Sequence, residues 1–310
     1  MDILTTPSAR FATLPNFDFP AKYALVSDSD DGQLRIAYRD IGPPDAPAVV
    51  MLHGEPTWSF LYRNVIPPVL AAGYRVILPD LVGFGASDKP TRQSDHTYAR
   101  HVEWIRALLL DHLELTNISL LGQDWGGLIG LRIAAENLEK FRALIVSNTG
   151  LPSGDFGMPD IWLQFREAVR TAPTLDVSRL IQAGSLTELP AEVLAAYDAP
   201  FPEESYKAAA RAMPSLVPTS PDDPASEANR VAWTILSESQ IPTLVAFADS
   251  DPITGAMGPI FEKSFRGAQG RHHPTIANAS HFVQEDNGEK LGEAVAGFLA
   301  TLPPVTEFGK

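Results

Sequence analysis

The segment Gly122-Gln-Asp-Trp-Gly126 places an aspartate between two glycines, at the point where an apolar run passes into a helical pattern. Glycines two positions before and two after a central residue are typical of a nucleophile elbow, a sharp strand-to-helix turn. The central residue here is Asp124. Because an aspartate side chain has a reference pKa of about 4, it is ionised at neutral pH and needs no base to activate it. The segment predicts displacement at a saturated carbon, whereas a serine would be expected for an ester or amide carbonyl. The alternative role, a simple helix cap, would not need glycine on both sides.

The loop His53-Gly-Glu-Pro-Thr-Trp58 follows an apolar run and brings a backbone N–H donor beside the elbow. Such a loop, together with the N–H of the residue after the nucleophile, can form an oxyanion hole. With an aspartate nucleophile, this hole would hold the second carboxylate oxygen when water attacks the ester. An ordinary turn around Pro56 is the alternative for this segment taken alone.

His281 lies in a loop of small residues just before a helical pattern, and it is the candidate base. An acid must orient it, and both Asp249 and Asp251 follow the apolar run Leu244 to Phe247. We favour Asp251 for the length of its loop, and Asp249 stays open. The other common position for this acid follows the preceding strand. Asn148 stands there, and an amide cannot carry the negative charge that the acid needs.

Two tryptophans are candidate donors to a leaving anion, because an indole N–H stabilises negative charge without competing as a nucleophile. Trp125 follows the elbow aspartate directly, and Trp162 opens a helical segment later in the chain. An aromatic that only packs against the core is the alternative for Trp162. We expect packing roles for the remaining tryptophans, which are Trp58, Trp104 and Trp233.

Short apolar runs and helical patterns must position these residues. Strands that alternate with helices predict a mostly parallel sheet covered on both sides, with helices such as the one carrying Val102 to Leu113. The predicted strands are Val49 to Leu52, Val76 to Leu78, Ile118 to Leu121, Leu144 to Val146 and Leu244 to Phe247.

The alternation stops after Asn148, and the stretch 152–220 predicts a helical insertion, a cap over the sheet. Residues 1–151 and 221–310 then form the two parts of the core. We predict cap helices at Ile161 to Val169 and Ala191 to Tyr197, no regular element among the six prolines between Pro200 and Pro224, and a later core helix at Val231 to Leu236.

Composition narrows the function classes. The 310 residues carry a net charge of −14, which disfavours nucleic acid and anionic membranes as partners. The sequence contains no cysteine, which excludes disulfides, thiol nucleophiles and metal sites with cysteine ligands. No run approaches the roughly 20 apolar residues of a membrane span. We expect a cytoplasmic monomer that uses no metal or cofactor.

Four segments together resemble the haloalkane dehalogenases of the α/β-hydrolase superfamily, in the branch with a tryptophan pair for the halide. The resemblance implies the α/β-hydrolase fold and hydrolysis of a haloalkane to a primary alcohol, halide and a proton through an ester on Asp124. It also implies His281 as base, Asp251 as its partner, Glu55 and Trp125 as oxyanion-hole N–H donors, and Trp125 with Trp162 as halide ligands. The segments are His53 to Arg63, Asp80 to Pro90, Gln123 to Gly127 and His281 to Glu285.

Epoxide hydrolases are the nearest alternative, because they also use an elbow aspartate. They typically carry an aromatic residue where Glu55 stands, and two insertion tyrosines, for which Tyr197 and Tyr206 would be candidates. A non-catalytic ligand-binding member of the fold is a more remote alternative. We expect the substrate cavity to be shaped by insertion residues such as Phe156, Phe165 and Leu175.

Overall fold

Continuous apolar runs become the buried strands of one sheet. The computed structural model describes residues 1–28 and 32–304. Within these residues seven strands form the main sheet, and each of the predicted runs contributes to one of them. The other two strands of the main sheet were not predicted, and the short strands Ile3–Leu4 and Lys89–Pro90 pair as a separate ribbon. In chain order the strands are β1 (Ile3–Leu4), β2 (Lys22–Ser27), β3 (Gln33–Ile41), β4 (Ala48–Leu52), β5 (Arg75–Pro79), β6 (Lys89–Pro90), β7 (Ile118–Gln123), β8 (Phe141–Ser147) and β9 (Thr243–Val245).

The main sheet has the order β2-β3-β5-β4-β7-β8-β9 among the described residues. The pairs from β5 to β9 are parallel, and β2 and β3 are antiparallel to their neighbours. The expectation of a mostly parallel sheet is therefore confirmed. The carboxyl ends of β4, β7, β8 and β9 lie along one edge, where the loops that follow them can meet.

Helices pack around this sheet. The last helix, Val283–Ala300, packs against the first, Ile66–Ala71. The helix Trp125–Glu136, which follows the elbow, packs against the helices Tyr98–Arg106 and Ser226–Glu238. A π-helical turn, Ala107–His112, continues the helix that ends at Arg106. The helices are α1 (Ile66–Ala71), α2 (Tyr98–Arg106), α3 (Trp125–Glu136), α4 (Asp160–Thr171), α5 (Val177–Ala183), α6 (Ala191–Asp198), α7 (Ala208–Leu216), α8 (Ser226–Glu238), α9 (Met257–Ser264) and α10 (Val283–Ala300).

The region between β8 and β9 is helical in the described structure, and α4 and α6 match the two predicted cap helices. The prediction of no regular element between Pro200 and Pro224 is wrong, because α7 lies there with Pro214 inside it. A run of alanines from Ala208 favours the helix, which ends two residues after this proline. The boundaries 152–220 for the cap and 221–310 for the second core part stay predictions, and residues 305–310 lie outside the described residues.

The predicted helix Val231 to Leu236 forms within α8. Its core face is made by Asn229, Ala232 and Leu236, whereas Val231 is half exposed. Three or four residues separate these buried positions, so the helix presents one face to α3 and the other to solvent.

Candidate active site

Asp124 occupies a strained turn between β7 and α3. Its φ is 49° and its ψ is −126°, a backbone conformation that side chains other than glycine rarely adopt. A Cβ added at Gly126 would lie 1.9 Å from the carbonyl oxygen of Leu52, and one at Gly122 would lie 2.6 Å from the Cα of Gly127. Neither position tolerates a side chain, so both glycines are required for the turn.

Hydrogen bonds to the loop after β8 hold this turn in place. The Asp124 N–H donates to the carbonyl oxygen of Asn148 at 2.9 Å, and the Thr149 hydroxyl donates to the Asp124 carbonyl oxygen at 2.7 Å. The carboxylate is thereby held at the carboxyl edge of the sheet, partly accessible with 21% of its side chain exposed.

The loop after β4 meets the carboxylate. The Glu55 N–H donates to Oδ1 of Asp124 at 2.9 Å. A Cβ at Gly54 would lie 2.3 Å from the same oxygen, so only glycine permits this approach. Of the two predicted oxyanion-hole donors, Glu55 contacts the carboxylate, while the Trp125 N–H has no hydrogen-bond acceptor among the described residues.

The His53 side chain holds the loop after β4 in place through two hydrogen bonds. Burial lowers the pKa of its imidazole to about 4, so the ring is neutral at pH 7. Nδ1 donates to the Gly54 carbonyl oxygen at 2.9 Å, and Nε2 accepts from the Leu81 N–H at 2.9 Å. The ring therefore joins the loop after β4 to the loop after β5.

His281 lies between two carboxylates. Its Nδ1 is 3.2 Å from Oδ2 of Asp251, and its Nε2 is 3.6 Å from Oδ2 of Asp124. The Asp251 carboxylate, whose side chain is fully buried, also accepts from the Ile253 N–H at 2.9 Å and from the Thr254 hydroxyl. The alternative acid, Asp249, instead accepts from backbone N–H groups of the loop at 278–279 and has no hydrogen bond with His281 among the described residues.

Two neighbouring charges dominate the pKa of the His281 imidazole. Burial disfavours the imidazolium, but Asp251 and Asp124 outweigh burial and raise the pKa of His281 to about 10. In turn, burial raises the pKa of Asp251, and the opposing imidazolium and hydrogen bonds win, bringing it to about 2. The charges on Asp251 and Asp124 therefore favour the protonated form of His281 while Asp124 is ionised.

The indole N–H groups separate the tryptophans into two kinds. Trp125 and Trp162 are both buried, and neither indole N–H has an acceptor within the part of the chain that the structure describes. By contrast, the N–H of Trp58 donates to the Ala196 carbonyl oxygen at 3.0 Å and that of Trp104 donates to Asp28 at 2.9 Å. Trp233 packs against Phe residues of α9 and the turn after it.

Known proteins share both this fold and this sequence. A family model for the alpha/beta hydrolase fold matches residues 47–288. The chain is 49% identical to a haloalkane dehalogenase of Psychrobacter cryohalolentis over 98% of this chain and 100% of the relative. It is 50% identical to haloalkane dehalogenase 1 of Mycobacterium bovis over 94% of this chain and 97% of the relative.

The chain belongs to the haloalkane dehalogenase family. A solved structure of the tetrameric haloalkane dehalogenase DpaA from Paraglaciecola agarilytica NO2 superimposes with a TM-score of 0.88 at 35% identity, over 97% of this chain and 99% of that one. The family resemblance read from the four sequence segments is thus confirmed, and so is the α/β-hydrolase fold.

Two residues of this dehalogenase site were not singled out as contacts from the sequence. Asn148, considered only as a missing acid, donates to the carbonyl oxygens of Ser280 and His281 at 2.7 and 3.1 Å and accepts from the Ala248 N–H at 2.9 Å. It connects the loops after β8 and β9 to the histidine. Gln123 lies on the other side of the imidazole, with its amide nitrogen 3.2 Å from the His281 carbonyl oxygen. A polar residue that ends a buried strand was the available signal for both.

The two insertion tyrosines of this dehalogenase differ in their contacts. The Tyr197 hydroxyl is buried and donates to Glu285, which also binds the guanidinium of Arg63 at 2.6 Å. No hydrogen bond involves the Tyr206 hydroxyl among the described residues. Because the Tyr197 hydroxyl is committed to Glu285, the two residues do not form a tyrosine pair that faces Asp124.

The residues expected to shape the cavity divide into buried and exposed ones. Leu175 is buried and Phe165 is partly buried, so both can line the interior of the cap. Phe156 is 84% exposed, and the expectation that it packs in the cap is wrong. It precedes α4 in a loop whose chain runs over the surface.

Proposed function

We propose that this protein hydrolyses haloalkanes to an alcohol and a halide in two steps, through an alkyl ester on Asp124. Membership of the dehalogenase family supports the overall reaction. The position of Asp124 carries the two-step route, because Oδ1 is held by the Glu55 N–H while Oδ2 points toward His281. One carboxylate oxygen is thus oriented by the loop, and the other remains for attack on carbon.

In the first step Oδ2 attacks the carbon that bears the halogen, a new C–O bond forms, and the carbon–halogen bond breaks with its electron pair leaving on the halide. The free indole N–H groups of Trp125 and Trp162 would donate to this anion. Glu55 does not compete as a nucleophile, because burial and then the nearby Asp124 charge raise the pKa of its carboxyl well above the ordinary value and keep it neutral.

Ester formation then prepares the base. The alkylated Asp124 is uncharged, so one of the two carboxylates that hold the proton on His281 is lost. Burial now opposes the imidazolium with less compensation, and the pKa of His281 falls. The histidine releases its proton to solvent and becomes a base only after alkylation.

In the second step a water molecule gives a proton to Nε2 of His281 and its oxygen adds to the Asp124 carbonyl carbon. Charge develops on the ester oxygen that the Glu55 N–H binds, and we assign the Trp125 N–H as the second donor. Collapse of the tetrahedral intermediate breaks the bond between the carbonyl carbon and the alkyl oxygen, and the departing alkoxide takes the second proton of the original water from the new Asp124 carboxyl group, which gives the alcohol. The Asp124 carboxylate and the protonated His281 are regenerated.

A direct test measures bromide release from 1-bromobutane and hydrolysis of styrene oxide in parallel. We expect stoichiometric bromide and alcohol from the bromoalkane and no diol from the epoxide, because the Tyr197 hydroxyl is committed to Glu285 and no tyrosine pair is left to protonate the epoxide oxygen. Diol formation without bromide would identify an epoxide hydrolase, and the absence of both products would favour a non-catalytic binding protein.

We also propose the coarser features that the sequence predicts. Among the described residues no helix is both long and apolar enough to cross a membrane. Action in the cytoplasm is our proposal from the cysteine-free composition. The monomer is likewise a proposal, which light scattering on the purified protein tests, with the tetrameric relative as the contrasting state.

A further inference from the structure

An arginine of the cap lies against the indole ring of Trp162. Arg166 and Trp162 both belong to α4 and are four positions apart, so their side chains share one face of the helix. The guanidinium carbon of Arg166 is 5.0 Å from the centroid of the Trp162 ring. A cation at this distance is attracted by the negative face of the ring. The contact therefore holds a positive charge beside one of the two free indole N–H groups.

The Arg166 guanidinium makes few other polar contacts. It is half-buried, forms no ion pair among the residues that the structure describes, and donates one hydrogen bond there, to the Thr219 hydroxyl at 3.4 Å. Two carboxylates near it have closer partners. A hydrogen bond from Arg170 is the main cause that lowers the pKa of Glu167, and the Thr219 N–H is the main cause for Asp223. The Arg166 charge is only a minor cause for either carboxylate, so it remains free to act on the ring.

The indole nitrogen of Trp162 is available to an anion. It makes no hydrogen bond within the described part of the chain, and it is not one of the unpartnered polar atoms that are completely buried. The residue as a whole is only 7% exposed. An N–H that is shielded by its own ring yet reachable by solvent is a donor without a protein acceptor, as a site for a small anion requires.

The surroundings of such an anion are otherwise negative. The nucleophile that expels the halide is itself a carboxylate, Asp124, and the chain carries a net charge of −14. An indole N–H offers only a partial positive charge against this field. A full positive charge on the face of the same indole adds a second attraction for the anion, and it is screened little when the guanidinium is half-buried.

We propose that Arg166 is a positioning residue for the leaving halide and that it acts through Trp162. The cation–π contact fixes the plane of the indole and strengthens its N–H as a donor to the anion that forms when the carbon–halogen bond breaks. This role rests on the proposed dehalogenation. Because the charge acts on an anion, we expect it to affect halide binding and alkylation, and neither binding of the uncharged haloalkane nor hydrolysis of the ester.

Fluorescence titration with bromide at constant ionic strength tests the role of the charge. Arg166→Met removes the charge and keeps part of the stem, and it should weaken bromide binding about three- to tenfold. Arg166→Lys keeps the charge and should stay within about twofold of the unaltered protein. The matched control is Arg170→Met, one turn further along α4, where the arginine binds Glu167 at the surface.

The control should bind bromide as the unaltered protein does. If Arg166→Met binds bromide as tightly as the control, or if Arg166→Lys binds as weakly as Arg166→Met, the role of the charge is overturned. Rapid-quench measurements add a second readout, since Arg166→Met should slow alkylation and leave ester hydrolysis unchanged. Equal slowing of both steps would indicate a merely structural role and would also overturn the proposal.

A double-mutant cycle with Trp162→Phe shows whether Arg166 acts through the indole. Phenylalanine keeps a ring face for the guanidinium but has no N–H, so in this background Arg166→Met should weaken bromide binding by less than about twofold. The same loss in both backgrounds would overturn action through Trp162. If Trp162→Phe alone leaves bromide binding unchanged, the proposed halide site fails. If Trp162→Phe weakens binding and Arg166→Met does not, only the role of Arg166 is overturned.

Discussion

The Nε2 atom of His281 lies 3.6 Å from Oδ2 of Asp124, beyond a normal hydrogen bond yet within strong electrostatic reach. The charge of the nucleophile therefore controls the charge of the base. While Asp124 is ionised, His281 keeps its proton, with a pKa of about 10. Once Asp124 is esterified, its charge no longer raises the pKa of His281. In the proposed ester route, this relationship would order the two steps.

Replacement of the nucleophile should abolish turnover. We expect Asp124→Ala to release bromide at less than about 1% of the unaltered rate, because catalytic groups act as a unit and the neutral Glu55 cannot substitute. Bromide release and circular dichroism are measured together, so that loss of fold is recognised. Turnover above this level in a folded variant would mean that another group attacks the carbon.

The two neighbouring aspartates provide a matched pair. Asp251→Asn should lower the pKa of His281 from about 10 and reduce turnover by a factor of about 10³ to 10⁴, as loss of an orienting carboxylate does elsewhere. Asp249→Asn, which alters only the loop contacts at 278–279, should leave the imidazole titration unchanged. NMR titration of the imidazole measures both. An unchanged pKa in Asp251→Asn would contradict the assignment of the acid.

The raised pKa of His281 also predicts how the free energy of unfolding depends on pH. Because the folded-state pKa of His281 lies above its unfolded value of about 6.5, its contribution is fully present below pH 6.5 and is lost as pH rises toward 10. Asp251→Asn should flatten this loss. Unfolding free energies measured by urea titration between pH 6 and about 10 check the slope, and a variant with the same slope as the unaltered protein would argue against the pairing.

Bromide affinity should depend on two particular indoles. Trp125→Phe and Trp162→Phe each remove one N–H and should weaken bromide binding by roughly 3 kcal/mol, by analogy with an oxyanion-hole donor. Trp233→Phe is the control, since its ring packs against Phe261 and Phe265 away from the nucleophile. Fluorescence titration with bromide measures all three. If Trp162→Phe binds as tightly as the control, the second halide ligand is a different residue.

A buried ion pair joins the cap to the core. Glu285, in α10, binds the guanidinium of Arg63 and accepts from the hydroxyl of Tyr197 in α6. Glu285→Leu should destabilise the protein by about 3 to 5 kcal/mol, because it leaves the Arg63 charge buried and unpaired. The surface variant Glu293→Gln, which breaks the exposed pair with Lys290, should cost less than about 1 kcal/mol. Urea unfolding compares them, and equal costs would contradict the buried pair's role.

The part of the fold that carries the site was predictable because parallel strands are buried on both faces and read as continuous apolar runs. β2 escaped prediction because its residues alternate between buried and exposed, and β3 escaped because the charged residues Arg35, Arg39 and Asp40 interrupt its apolar positions. α7 escaped because Pro214 was taken as a breaker, although the alanines before it favour a helix.

Some residues of the site could likewise be predicted from the sequence, and others could not. Asp124, Glu55 and His281 were predictable because each depends on a local pattern, an elbow, a loop or a small-residue turn, and the structure brings them together. The preference for Asp251 over Asp249 depended on loop length alone, and only the fold places one of the two beside the imidazole. The contacts of Asn148 and Gln123 with the histidine loop cross more than 130 residues of sequence, so no local pattern contains them.

The most direct test of the two-step route uses His281→Gln with 1,2-dibromoethane. Since the base is needed only for hydrolysis, the variant should release about one equivalent of bromide in a burst and then stall. Intact-mass spectrometry should then show one added bromoethyl group, on the peptide that contains Asp124. A variant that gives no burst and no adduct would contradict the account, because His281 would then be required for the displacement itself.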